Sequence, residues 1–167
     1  PLIRKALTRY PFKASLLKGR ANYLCTYRLE QALNSAFGYS QDDAKSLAHI
    51  KAWAKRTKTG DVSEVADVND GDPIWFNATS TPDNCLGQNC PDAADCFLIK
   101  ARKQAQEADI VIVNHHLLCA DWSIRETGFG ELLPDAEVVV IDEAHQLADT
   151  ASNFLGVTIS GKQLVDL

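Results

Sequence analysis

Residues 138–145 read VVVIDEAH. Four β-branched residues followed by two carboxylates predict a buried strand with Asp142 and Glu143 at its tip. A second apolar run, IVIVN at 110–114, predicts another such strand, and helical sequence follows each. Two buried strands that each lead into a helix indicate an α/β fold built on a parallel sheet. Ligands of such sheets bind beyond the carboxyl ends of the strands, where Asn114-His115 and Asp142-Glu143 fall.

Two adjacent acids at a strand tip are costly unless positive charge stands close by. Mg2+ on a nucleotide's phosphates supplies that charge. In this chemistry Asp142 holds the Mg2+ shell, directly or through water, while Glu143 orients and deprotonates the attacking water. His145 is placed to link the nucleotide site to neighbouring motifs. The plainer reading makes Asp142 a helix cap and Glu143 a helix-dipole partner. The apolar run before the pair and the Ala-His after it favour the nucleotide hydrolase. A phosphate loop of the form G-x-x-x-x-G-K-[ST] should accompany it. LLKGR (16–20) and SGKQ (160–163) do not complete it, since neither has a Gly-Lys pair followed by Ser or Thr. The chain has no methionine and starts PLIRKAL. It reads as an internal segment, with the phosphate loop expected before residue 1 and no ATP hydrolysis by the segment alone.

Working outward, KASLLKG (13–19) is a strand candidate, after a helix end and turn in RKALTRYPFK. Residues 27–37 have helical spacing up to Gly38. Ser40 and Asp43 form a capping box for a helix running to about Thr57, with Leu47, Ile50 and Ala54 toward a core. Residues 59–73 are acidic and turn-rich, 74–84 irregular, and 92–107 helical. The stretch 20–107 breaks the strand–helix alternation and reads as an insertion.

That insertion contains NCLGQNCPDAADCF (84–97), with Cys85, Cys90 and Cys96 spaced C-x4-C-x5-C. Cys119, in an apolar setting, reads as a core thiol. Cys25 lies where the insertion leaves the sheet and the trio lies where it returns. Four thiolates suit tetrahedral zinc or an iron–sulfur cluster. A solitary first cysteine and wide later spacings favour iron–sulfur over zinc. Thiols persist reduced in the cytosol, and the chain reads as cytoplasmic.

The net charge of −5 hides an asymmetry. Residues 1–60 carry 12 Lys/Arg against 3 Asp/Glu, and residues 61–99 carry 8 acids and no base. The basic block is a candidate polyanion footprint. Lys18, Arg20, Arg28, Lys100, Arg102 and Lys103 lie in or beside the cysteine segment and are candidate phosphate contacts. Tyr23 and Tyr27 are candidates for stacking on bases. The apolar runs are far too short to span a membrane.

KGRANYLC, the C-x4-C-x5-C trio, EADIVIVNHHLL and VVVIDEAH occur in that order. The sequence thereby resembles the XPD-like iron–sulfur helicases of superfamily 2, most closely the bacterial DinG/YoaA branch, over roughly residues 13–150. The resemblance implies a 5′-to-3′ ATP-dependent DNA helicase acting on single-stranded or forked DNA in repair or replication, alongside replication or repair proteins. It implies a [4Fe–4S] cluster on Cys25, Cys85, Cys90 and Cys96, and ATP with Mg2+ at Asp142, Glu143 and His145. It also implies a partial RecA-like motor domain over 1–19 and 108–152, interrupted by a mainly helical iron–sulfur insertion over 20–107. An arch insertion would start at 153–167. Two other readings stand beside it: a zinc-binding module that binds nucleic acid or a protein without catalysis, and a related iron–sulfur nuclease.

Overall fold

A computed structural model describes residues 11–35, 38–69, 71–128 and 131–156. The helix end proposed before Pro11, the last two residues of the 27–37 segment and the tail with SGKQ lie outside them. The chain is mixed α/β and divides into two compact units, 1–112 and 113–167.

In the first unit, β1 (Ala14–Leu16) pairs in parallel with β2 (Ile110–Ile112), Ser15 opposite Val111. Asp109 Oδ2 accepts from the Lys13 backbone N–H at 2.7 Å, and the Leu17 N–H continues the pairing to the Ile112 carbonyl. Parallel neighbours need a crossover, and here the crossover is some ninety residues long with a core of its own. It carries α1 (Thr26–Asn34), α2 (Gln41–Ala54), α3 (Trp75–Ala78) and α4 (Phe97–Gln106).

Local sequence explains these elements. Ser40 Oγ accepts from the Asp43 N–H while the Asp43 carboxylate accepts from the Ser40 N–H, so the capping box starts α2 as expected. The helix ends at Ala54, short of Thr57. Its buried stripe is Leu47, Ile50 and Trp53. They meet Leu24 and Leu29 from the start of the crossover, and Val62, Val65, Val68, Ile74 and Trp75 from the turn-rich stretch. The valines therefore anchor an acidic segment that lacks long elements. Trp53 and Trp75 pack edge to face, with centroids 6.3 Å apart. Trp75 opens a short helix inside the stretch expected to be irregular.

In the second unit, α5 (His115–Thr127) packs on α6 (Leu147–Leu155). Asn114 caps α5 by accepting the Leu117 N–H, and Gly128 in the left-handed region ends it. Buried Asp121 accepts the Leu132 and Leu133 N–H groups and pairs with Arg125 at 2.7 Å. Arg125 in turn binds Asp135, so the 131–135 loop is clasped to α5.

Two strand expectations are corrected. β2 is shorter than 110–114 and not buried throughout, since Ile110 and Ile112 are 44% and 55% exposed. Residues 138–142 form no strand; Val138 and Val140 are 76% and 89% exposed. Apolar, β-branched sequence suits a strand, but a strand exists only when its backbone pairs with a neighbour. Among the described residues the sheet has only β1 and β2, and 138–142 joins neither.

Candidate metal centre

Cys25 immediately precedes α1 and Cys96 immediately precedes α4, each as the helix N-cap. Both residues are therefore positioned by the start of a helix, although neither side chain makes a capping hydrogen bond. The Cys25 backbone is fixed by its N–H to the Ala78 carbonyl at 2.7 Å. Next to it, the Leu24 N–H reaches the Gly60 carbonyl at 2.8 Å. Thr26 Oγ1 donates to Asp92 Oδ2 at 2.9 Å, joining the first cysteine to the loop that holds the other three. In that loop two single 3-10 turns, Gly87–Asn89 and Ala93–Asp95, end on Cys90 and Cys96. The Gly87 N–H points to the Cys85 sulfur at 3.4 Å.

Cys25, Cys85, Cys90 and Cys96 line one cavity of about 340 Å3. All four are free thiols of intermediate exposure. Burial pushes the Cys25 thiol above its ordinary value. The nearby Arg28 N–H opposes that rise, and the other three cysteines add to it through like-charge repulsion. No Asp, Glu or His lines the cavity. Among the described residues no three His, Cys, Asp or Glu side chains form a group that could hold a metal ion. The donor set is thus four sulfurs around a space, with no compact three-donor site. Cys119 is fully buried in α5, away from this set in sequence and unit.

The candidate DNA residues separate into groups. Tyr23 is 5% exposed, and its hydroxyl accepts the Lys18 N–H. Lys18 Nζ bonds Asp61 at 2.6 Å. Both are tied into the fold, and Tyr23 is a largely buried residue of the cysteine cavity wall. Arg20, Tyr27, Arg28 and Arg102 line the cysteine cavity. Lys100 and Lys103 lie exposed on α4, with Lys100 in a surface pair with Asp95 at 2.9 Å. Neighbours remote in sequence, such as Asp61 for Lys18, are what a reading of local pattern misses.

The acidic pair occupies an exposed turn. Glu143 has φ of 49°, the one non-glycine residue with positive φ among those described. Its N–H bonds the Asp142 carboxylate at 3.0 Å. His145 Nδ1 lies 3.5 Å from the Glu143 carboxylate, and His115 Nε2 lies 2.9 Å from the Asp142 carbonyl oxygen. The two sequences that end in Asn114-His115 and Asp142-Glu143 thus meet through this contact.

The DEAD_2 family model matches residues 8–164. The chain belongs to the DEAD_2 family. Within this DEAD_2 chain all 167 residues align, at 46% identity, to the ATP-dependent DNA helicase YoaA of Escherichia coli (strain K12), covering 26% of that protein. The ATP-dependent helicase DinG of Mycobacterium tuberculosis (strain ATCC 25618 / H37Rv) is 32% identical over 97% of the chain and 26% of its own length. A Bacillus subtilis (strain 168) relative, named 3'-5' exonuclease DinG, is 32% identical over 88% of the chain and 15% of its own length. The chain therefore spans about a quarter of the helicases it matches. No described helix is long and apolar enough to cross a membrane.

Proposed function

We propose that this chain is part of the motor of an ATP-dependent 5′-to-3′ DNA helicase, with Cys25, Cys85, Cys90 and Cys96 holding a [4Fe–4S] cluster. The observation that carries the cluster reading is the meeting of four cysteines, one of them sixty residues upstream of the others, around one carboxylate-free cavity. Zinc bound at ~2.3 Å to each of four sulfurs would hold them ~3.8 Å apart. When bound, the cluster supplies a four-point cross-link and a one-electron couple.

The chain's own residues divide the remaining work. Asp142 holds the Mg2+ shell of ATP, Glu143 takes the proton of the attacking water, and His145 ties the turn to neighbouring motifs. The names of the YoaA and DinG relatives support this reading. Arg20, Lys100 and Lys103 contact phosphates of single-stranded or forked DNA. The Lys100–Asp95 pair is exposed and weak enough to exchange for a phosphate. The cellular setting that follows is cytoplasmic DNA repair or replication, beside proteins of those processes.

Anaerobic purification followed by metal analysis tests the reading. The expected protein is brown, absorbs near ~400 nm, carries iron and sulfide, and loses both in Cys90→Ser. A colourless protein with stoichiometric zinc overturns it in favour of a zinc-binding module.

A further inference from the structure

The cysteine cavity is also lined by three arginines, Arg20, Arg28 and Arg102, and by no acid. None of the three has an ion-pair partner among the described residues. Arg28 is the least satisfied. Its Nε is buried with no hydrogen-bond partner, and its Nη2 reaches only the Phe76 carbonyl at 3.4 Å. Burial lowers Arg102 below the usual arginine value and Arg20 lowers it further; what opposes them is the negative charge of Cys85 and Cys96. Guanidinium groups gathered in a half-buried space are costly unless an anion sits among them. Four neutral thiols do not supply one, whereas four thiolates around an iron–sulfur core carry net negative charge.

We propose that Arg28 and Arg102 balance the charge of the cysteine-held iron–sulfur group and thereby set its reduction potential. The inference rests on the cluster reading above. Reduction adds one electron, and so one negative charge, to a group already negative. Fixed positive charge beside it stabilises the reduced form more than the oxidised form, which raises the potential. Arg28 adds a buried N–H donor with no protein acceptor, suited to a sulfur of the bound group. Arg102, one turn after Leu98 on α4, acts on the Cys85 and Cys96 side.

The test is a redox titration of the full chain, purified anaerobically, with dithionite and mediators and with the reduced cluster followed by electron paramagnetic resonance. Dithionite gives two electrons, one to each of two clusters, and is oxidised to sulfite. At a fixed potential, Arg102→Gln should lower the reduced-to-oxidised ratio about tenfold, a downward shift of about 59 mV. Arg28→Gln should shift in the same direction. The lysine variants, which keep the charge, should stay near the wild-type potential. Iron-loaded glutamine variants that titrate with the wild type overturn the proposal. Should the glutamine variants take up no iron, lysine variants that load at the wild-type potential support it. Lysine variants that keep their helical circular dichroism yet stay iron-free overturn it. A wild-type protein without iron and sulfide would instead remove the cluster reading, and this inference with it.

Discussion

Thr26 Oγ1 donates to Asp92 Oδ2 at 2.9 Å across 66 residues of sequence. The two residues adjoin the proposed ligands: Thr26 follows Cys25, and Asp92 lies between Cys90 and Cys96. This bond, together with the Cys25 N–H to Ala78 contact, brings the two cysteine segments together with protein groups alone. The cavity lined by the four cysteines is thus held by bonds within the protein.

Thr26→Val keeps the shape and removes the donor. A hydrogen bond to a carboxylate is worth about 1.5–3 kcal/mol where partly shielded from water. Local opening of residues 84–97 should therefore rise at least about tenfold, read as faster amide exchange in that loop. The α2 amides should keep their protection. Unchanged loop exchange would show that Thr26 does not hold the two segments together.

Gly60 has φ of +67°, and a Cβ there would lie 2.3 Å from Cγ of Phe97, the residue after Cys96. The bend and the ring cannot both persist with a side chain present. Gly60→Ala should cost about 2–4 kcal/mol, from left-handed strain and overpacking together. It should also reduce iron content by shifting the start of α4. Urea unfolding gives the first quantity and iron per chain the second; a variant with wild-type values in both would contradict the packing account.

Asp61 supplies a pH dependence. Burial alone would raise its pKa, but hydrogen bonds from Lys18 and Ser63 outweigh that and hold it below the usual carboxylate value. The folded state therefore binds this proton less readily than the unfolded state. The resulting stability is present above the unfolded pKa of ~3.9 and is lost as pH falls through the folded value. Asp61→Asn should thus be less stable than wild type at pH 7, with the gap narrowing below about pH 4. Parallel urea curves at the two pH values measure it. A gap that widens in acid would reverse the sign argued here.

Glu143→Gln in the full protein should keep ATP affinity and lose at least about a hundredfold in turnover, the usual scale of a removed general base. ATP binding and hydrolysis measured on the same preparation separate the two effects. Retained hydrolysis would take the base role from Glu143. Residues 1–167 alone, which lack a G-x-x-x-x-G-K-[ST] sequence, should show no DNA-stimulated hydrolysis.

Much of the local structure was legible because its causes are local. Ser40 and Asp43 are three residues apart and make their box wherever the helix begins. The cysteines could be grouped because few residue types gather sulfur for other reasons, and all four do line one cavity. What escaped depends on partners distant along the chain. VVVI has strand composition, yet no described strand pairs with it. Lys18 and Tyr23 carry the residue types of a DNA surface, but Asp61 binds the first and the core encloses the second. The Gly60–Phe97 approach leaves no mark in either local sequence. The arginines of the cavity were visible as charges; their lack of acidic partners emerges only in three dimensions.

The edge-to-face contact of Trp53 and Trp75 gives the protein an internal optical gauge. Both indoles are nearly sealed from water, whereas Trp122, the remaining one, is 36% exposed and belongs to the other unit. Ultraviolet emission will thus be dominated by the interior behind the cysteine loop, and it will redden when that interior takes up water. Visible colour would follow the proposed inorganic group itself. Bleaching without reddening would reveal a scaffold that outlasts its metal, a distinction one cuvette can make without any added label.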